Sequence, residues 1–158
     1  MAKESKTTLT ILPDPLLKKR LNDVPDDWFG GKEIKELADE MHGVMLEANG
    51  IGLAANQIGR DLRFFVIDKK LAEENKIPNA FANPEITESS NDADEMEEGC
   101  LSIPGFTGLI RRPKKIKFKG YDVDGNKIKI KARGMLAKVL QHETDHLNGV
   151  TIKDRSGN

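Results

Sequence analysis

The sequence has little of several features that mark specialised classes of protein. It contains one cysteine, Cys100, among 158 residues, which excludes a disulfide within the chain. No apolar run approaches the ~18 residues of a membrane-spanning helix, and residues 1–10 lack the apolar core of a secretory signal. The formal net charge of −1 gives no overall attraction to nucleic acid or anionic membrane. We therefore expect a soluble cytoplasmic protein without a membrane partner.

Length and composition favour one folded unit. The chain falls within the usual span of about 100–200 residues per domain. Its apolar fraction of 37%, together with 14 glycines, is ordinary for a folded chain. We find no internal repeat and no low-complexity linker, so residues 1–158 are expected to form a single domain.

Three segments have clear periodicity. Apolar residues recur at intervals of three and four from Lys32 to Glu47, which predicts an amphipathic helix ended by Asn49-Gly50. Residues 63–68 form a short apolar run typical of a strand. Residues 116–121 and 127–131 alternate in period two around Asp124-Gly125, which predicts a hairpin. The apolar face of that hairpin would carry Ile116, Phe118, Ile128 and Ile130.

Two charged segments are interpreted as solvated surface. Residues 85–98 contain seven acids and are expected to form a solvated loop, with cation binding as the alternative. The opposite face of the hairpin would carry only lysines, and no aromatic side chain is interleaved among them. That pattern gives no strong nucleic-acid signal. The expected lysines are Lys115, Lys117, Lys119, Lys127, Lys129 and Lys131.

The most informative stretch is His142-Glu143-Thr144-Asp145-His146. In a helix, residues four apart lie above one another, so both histidines could bind one metal ion while Glu143 reaches a water on that ion. Apolar residues at helical intervals precede the motif, and Asn148-Gly149 supplies a helix stop. Chance spacing is the alternative. The third histidine, His42, has no partner at ligand spacing and is interpreted as structural.

A catalytic site of this kind needs at least a third protein ligand and an open position for water. After His146 the only acid is Asp154, and neither cysteine nor histidine follows. Upstream, Glu98-Gly99-Cys100-Leu101-Ser102 offers a thiolate beside a glycine. A lone cysteine is otherwise most often a small buried hydrophobe.

Together with the 50–57 stretch, which reads Gly-Ile-Gly-Leu-Ala-Ala-Asn-Gln, these motifs resemble those of the peptide deformylases. The three family signatures are glycine-apolar-glycine-apolar-Ala-Ala-x-Gln, Glu-Gly-Cys-Leu-Ser and Gln-His-Glu-x-x-His. All three occur here in family order, and the resemblance extends from about Leu12 to Asp154. It implies an α+β catalytic domain with short antiparallel strands packed around a C-terminal metal-binding helix and one further amphipathic helix near the N-terminus.

The resemblance also implies roles for particular residues. Cys100, His142 and His146 would bind the metal, and Glu143 would be the acid and base. Gln57 and the Leu101 backbone N–H would stabilise the oxyanion. Candidate substrate-binding residues are Ile51, Gly52, Met135 and Val139. The last two share a helical stripe with the histidines, although core packing explains them equally well.

Family resemblance further implies the cofactor and the substrate. The cofactor would be one divalent ion, Fe²⁺ in life, with Zn²⁺, Ni²⁺ or Co²⁺ also compatible with these ligands. The substrate would be the N-formylmethionine end of a newly made polypeptide, which is converted to formate and a free amine. The ribosome is a further implied partner, but the short tail after Lys153 leaves tail-mediated docking in doubt. Arg112 is expected to pair with Asp145 as a brace for the metal helix, unless Asp145 is simply exposed.

Two other functional classes remain open at this stage. A zinc peptidase would share Glu143 and both histidines but would not explain Gln57. A non-catalytic metal-binding module would keep the ligands without needing Glu143.

Overall fold

The computed structural model describes residues 7–156, which form four α-helices and seven β-strands joined by short turns. The helices are α1 (Lys32–Glu47), α2 (Lys69–Glu74), α3 (Gly134–Leu147) and α4 (Ile152–Arg155). The strands are β1 (Gly52–Ala54), β2 (Phe64–Ile67), β3 (Ala80–Ser89), β4 (Ala93–Gly99), β5 (Thr107–Pro113), β6 (Lys115–Tyr121) and β7 (Lys127–Arg133). Three single 3₁₀ turns lie at Pro15–Lys18, Asp26–Trp28 and Ala55–Ile58. The expected α+β class is confirmed.

Five strands form one antiparallel sheet in the order β1-β2-β3-β6-β7, and β4 pairs with β5 in a separate two-stranded ribbon. Helix α3 contacts every strand of the larger sheet, and apolar side chains fill the space between the helix and the sheet. Phe65, Phe81 and Phe118 form the centre of this core, with ring centroids 5.3–6.0 Å apart. Helix α1 packs against β1 and β2 through a second apolar cluster.

Helix α1 begins and ends where the apolar period predicted. Its buried residues, including Ile34, Met41 and Met45, recur at three and four, and the chain leaves the helix at Asn49, whose φ is +55°. His42 is buried in this helix, with Nδ1 2.8 Å from the carbonyl oxygen of Ala38. Its place in the helix agrees with the structural interpretation.

The strand predicted at 63–68 and the predicted hairpin are also confirmed. All four residues of β2 are buried. In the hairpin, Phe118 lies opposite Ile130, and the apolar side of both strands faces the core. The turn is held by Asp122, whose carboxylate accepts hydrogen bonds from the backbone N–H groups of Asp124 and Asn126.

The prediction of a solvated loop at 85–98 is wrong. This segment contains the end of β3 and most of β4, and only a short turn separates the two strands. The acids do not prevent pairing, because Glu85 and Glu88 lie beside Lys119 and Lys117 of β6. Glu98, at the end of β4, is buried. Pairing with neighbouring strands has therefore overridden a composition typical of loops.

Helix α3 follows β7 directly and ends at Leu147. The chain then turns at Gly149, whose φ is +77°, and a β-carbon there would lie 2.7 Å from backbone atoms of Lys18 and Lys19. Only glycine allows both that conformation and that approach. Within residues 7–156, no helix has the length and apolar character needed to cross a membrane.

Candidate metal centre and active site

Three side chains that can bind a metal converge at helix α3. His142 and His146 lie one turn apart on α3, with ring centroids separated by 5.0 Å. Cys100 approaches them from the turn that follows β4. One potential ligand atom from each residue lies within 4.8 Å of the others, and residues 7–156 contain no further cluster of this kind.

The orientation of both histidines suits a shared ion. Nε2 of His146 lies 3.2 Å from Sγ of Cys100. Nδ1 of His142 lies 3.0 Å from Oε1 of Glu98, which leaves Nε2 of that ring for a metal. A carboxylate on the outer nitrogen of a metal-binding histidine fixes the ring and raises its basicity. One thiolate and two imidazoles suit Zn²⁺ or Fe²⁺, so the residues fit the metal that the sequence implies.

Behind His142, buried charges form a continuous chain. Arg112 donates to Glu98 from Nε and Nη2 at 2.8 and 3.1 Å, and from Nη1 to Asp145 at 2.9 Å. The predicted pairing of Arg112 with Asp145 is confirmed. Arg155 of α4 also donates to Asp145, at 3.0 and 2.7 Å. Strands β4 and β5 are thereby linked to the metal helix and to α4.

This chain of charges shifts the pKa values of Glu98 and Arg112. Burial would raise the pKa of Glu98, but hydrogen bonds from His142 and Arg112 outweigh it and lower that pKa to about 2. Burial would likewise lower the pKa of Arg112, but Glu98 and Asp145 more than offset it and raise that pKa. Glu98 is therefore ionised across the physiological range and remains an acceptor for His142.

The surroundings shift the pKa values of the two histidines in opposite directions. Burial works against the protonated ring of His142, yet its contacts with Cys100, Glu143 and Glu98 raise the pKa to about 10. Burial lowers the pKa of His146, and the neighbouring His142 charge adds to this effect. The surroundings therefore favour the protonated ring at His142 and the neutral ring at His146.

Glu143, on the same helix as the histidines, lines one cavity together with Cys100 and His142. Its side chain is buried, and burial raises its pKa to about 7. Oε1 is shielded from solvent and has no hydrogen-bond partner within the described residues. A carboxylate oxygen in such a place needs a donor, and a water between Glu143 and the three ligand atoms would supply one.

Gln57 is held in a fixed orientation beside Cys100. Its Oε1 accepts the N–H of Ala54 at 2.9 Å, and its Nε2 donates to Ser102 Oγ at 3.1 Å. The same nitrogen lies 3.7 Å from Sγ of Cys100. The amide therefore presents its N–H side to the metal-binding cluster. Leu101 follows Cys100 in the turn and lines a cavity next to both residues.

A cavity of about 540 Å³ opens over these groups. It is lined by Gln57, Cys100, Leu101, His142 and Glu143, together with all four residues predicted to bind substrate: Ile51, Gly52, Met135 and Val139. Met135 is 49% exposed and Val139 6%, so Val139 also contributes to the core. A larger cavity of about 650 Å³ lies elsewhere, and none of the metal-binding residues lines it.

Sequence reasoning missed three supporting residues. It quoted Glu98 and Ser102 only as parts of a motif and assigned no role to Asn56. Asn56 is buried and donates to the carbonyl oxygen of His146 at 2.9 Å. The available signal was their position inside the motifs, since polar residues beside buried ligands commonly orient them.

Comparison with known proteins identifies relatives along almost the whole chain. The sequence profile described as polypeptide deformylase matches residues 6–158. A peptide deformylase of Mesorhizobium japonicum is 44% identical over 146 residues, which cover 92% of this chain and 81% of that protein. A peptide deformylase of Thermodesulfovibrio yellowstonii is 43% identical over 143 residues, which cover 90% of this chain and 84% of that protein.

Solved structures agree with the sequence relatives. The peptide deformylase of Thermotoga maritima superposes with a TM-score of 0.85 at 38% identity, over 94% of this chain and 96% of that one. A peptide deformylase of Synechococcus elongatus, in complex with actinonin, gives a TM-score of 0.88 at 35% identity, over 100% of this chain and 82% of that one. Fold, site and sequence together show that this chain belongs to the peptide deformylase family.

Proposed function

We propose that this protein removes the N-formyl group from the N-terminal formylmethionine of newly synthesised polypeptides, releasing formate and a free amine. The observation that carries this proposal is a buried carboxylate with one unpaired oxygen, Glu143, beside three convergent metal-binding side chains. A module that only stores or senses metal has no use for that carboxylate. We further propose that residues 1–158 act as one catalytic domain and that the protein works in the cytoplasm, where polypeptides are made.

The metal would be held by Cys100, His142 and His146, with Glu98 orienting His142. An ion held there would supply a lowered pKa of water, towards neutrality, and polarisation of the formyl carbonyl. We assign Fe²⁺ as the ion in cells. Zn²⁺, Ni²⁺ and Co²⁺ fit the same donor set.

Glu143 would carry the proton transfers. Its carboxylate accepts a proton from the attacking water and delivers it to the departing amine. Burial supports this role, because it raises the pKa of Glu143 to about 7, close to the value at which a group both gains and loses a proton at neutral pH. The charge of a neighbouring cation opposes this shift and favours the ionised base.

Gln57 and Leu101 would hold the carbonyl oxygen as it becomes negative. Gln57 cannot rotate freely, because Ala54 and Ser102 hold both ends of its amide. A donor fixed before the reaction needs no reorganisation during it, and such a donor is typically worth about 3–4 kcal/mol in the transition state. The Leu101 backbone N–H would be the second donor.

The apolar part of the cavity would accept the methionine side chain. Met135 and Val139 line it from α3, and Ile51 and Gly52 line it from the start of β1 and the residue before it. Unbranched thioethers adapt well to such surfaces. These four residues offer no partner for a charged first side chain, which would therefore be costly to bury among them.

Substrate selectivity tests this assignment. We would compare kcat/KM for formyl-Met-Ala, acetyl-Met-Ala and formyl-Asp-Ala peptides. The formyl-Met peptide should be strongly preferred, because acetylation adds a methyl group at the reacting carbon and aspartate adds a charge to an apolar pocket. Comparable values for all three would contradict the proposal, and cleavage of internal peptide bonds would favour a zinc peptidase instead.

Metal content tests the ligand set separately. Wild-type protein should bind about one divalent ion per chain. The Cys100→Ala variant should lose it, whereas Ser102→Ala, two residues away, should retain it. Full metal occupancy in Cys100→Ala would refute the thiolate ligand.

A further inference from the structure

Strands β6 and β7 present only cations to solvent. Every exposed residue of the two strands is lysine or arginine, and neither strand contains an acid. We refer to these seven residues as the lysine ladder: Lys115, Lys117, Lys119, Lys127, Lys129, Lys131 and Arg133. The whole chain carries 25 basic and 26 acidic residues, so this one-sided surface does not follow from overall composition.

The strand register places like charges opposite one another. Lys115 faces Arg133, Lys117 faces Lys131, and Lys119 faces Lys129. Directly opposed like charges destabilise an antiparallel pair, whereas opposite charges stabilise it. Three consecutive cross-strand pairs of like charge are therefore unfavourable for the fold.

Neighbouring acids neutralise only part of this charge. Glu88 and Glu85 of β3 lie 3.0 and 3.4 Å from Lys117 and Lys119. The remaining five members form no ion pair within residues 7–156. A substantial positive charge stays concentrated on this part of the sheet.

Protection of a sheet edge explains only half of the pattern. β7 is an edge strand, and exposed lysines on an edge discourage pairing with other chains. β6 lies between β3 and β7, where no edge needs protection. Lys117 and Lys119 stand there and pair with acids of β3. The β7 lysines therefore have no acid opposite them.

A groove lies at one end of the ladder. Its volume is about 450 Å³, and four ladder members line it together with Glu88 and two serines. Those four are Lys115, Lys117, Lys131 and Arg133. The serine hydroxyls of Ser89 and Ser90 add neutral hydrogen-bonding groups. Four cations against one acid in a concave surface favour an anionic ligand.

We propose that the lysine ladder binds the phosphate backbone of RNA. Alternate residues on a strand lie ~6.6–6.8 Å apart, so the ladder offers two regular rows of charge suited to a repeating anion. No apolar side chain is exposed among them to enter a bilayer, and no exposed aromatic ring offers a stacking surface for bases. Binding is therefore to the backbone, independent of base sequence.

The choice of RNA rests on the proposed function. A polypeptide that still carries its formyl group is newly made, and the particle that makes it is rich in RNA. A backbone-binding surface on the enzyme would raise its concentration near that substrate. The ladder lies outside the residues that line the catalytic cavity, so RNA and peptide can bind together.

Charge reversal on β7 tests the proposal. Lys129→Glu/Lys131→Glu places acids opposite Lys119 and Lys117 and should raise the melting temperature of the protein. The matched control is Lys69→Glu/Lys70→Glu, which has the same net charge. These lysines are exposed in the first turn of α2, where acids suit the helix dipole.

The probe is a fluorescein-labelled RNA hairpin, titrated by fluorescence anisotropy between about 50 and 200 mM KCl, the range over which phosphate contacts weaken steeply. Wild-type affinity should fall as salt rises. The ladder variant should bind about tenfold or more weakly, with a salt slope reduced by about two. The control should match wild type, and formyl-Met-Ala hydrolysis should be unchanged in both variants.

Three results would overturn the proposal. These are absence of RNA binding by wild-type protein at low salt, equal weakening in both variants, and tighter binding to polyglutamate or phosphatidylserine vesicles than to RNA. The peptide assay is independent of these measurements. Failure of RNA binding with intact deformylation would therefore reject the ladder and leave the enzymatic function standing.

Discussion

Gly52 lies directly against the carboxylate of Glu143. A β-carbon on Gly52 would stand 2.6 Å from Oε2 and 2.9 Å from Cδ of Glu143, closer than packed atoms approach one another. Glycine is required here because a β-carbon has no space. Backbone conformation does not require it, since the φ of Gly52 lies outside the left-handed region. The first residue of β1 thus sets the position of the proposed base on α3.

We predict that Gly52→Ala lowers kcat about 100-fold or more while metal content stays at the wild-type level. The added methyl group forces Glu143 away from the attacking water, and a small displacement of a catalytic group is costly. Steady-state deformylation and metal analysis on the same sample measure both effects.

Gly43→Ala is the matched control for that variant. Gly43 lies in α1, and a β-carbon there meets nothing within 4 Å. Activity should be retained, and helix propensity should raise the free energy of unfolding by up to about 1 kcal/mol. Equal activity of Gly52→Ala and Gly43→Ala would show that the Gly52 contact does not position Glu143.

A second prediction concerns Glu98, which connects His142 to Arg112. Glu98→Gln preserves shape but removes the charge that faces Nδ1 of His142, so metal affinity should fall about 10–100-fold. Competition with a chelator measures this change. Glu97→Gln is the control. Glu97 is exposed, and its carboxylate accepts a hydrogen bond from Thr107. An unchanged metal affinity in Glu98→Gln would remove Glu98 from the support of the metal site.

A third prediction compares the two arginines that hold Asp145. Arg112→Met removes both arginine hydrogen bonds of buried Glu98 and one of the three that Asp145 accepts. This loss should cost about 3–5 kcal/mol of unfolding free energy. Arg155 is half exposed, with 48% of its side chain accessible, so Arg155→Met should cost about 1 kcal/mol or less. Chemical denaturation of both variants tests the difference, and similar losses would contradict the buried chain of charges.

Local patterns were enough to predict much of the fold and the central residues of the site. The apolar period placed α1 at Lys32–Glu47, and alternation identified the β6–β7 hairpin. The spacing of His142 and His146 predicted that both rings share one face of α3. These features depend on residues that are neighbours in sequence.

Features that depend on distant segments could not be predicted in the same way. The acids at 85–98 indicated a loop because their partners, Lys117 and Lys119, lie on another strand. The contact of Glu98 with His142 and that of Ser102 with Gln57 each join residues more than 40 positions apart. No local period specifies such pairs, and only the assembled fold brings them together.

The central claim is that Glu143 acts on a water beside a metal held by Cys100, His142 and His146. The most direct measurement is formate release from formyl-Met-Ala by Glu143→Gln, with metal content determined on the same preparation. We predict about one ion per chain, as in wild type, and a loss of at least about 1,000-fold in kcat, since general-base catalysis and the charge on Glu143 are both removed. Near-wild-type formate release by the metal-loaded Glu143→Gln variant would contradict the account.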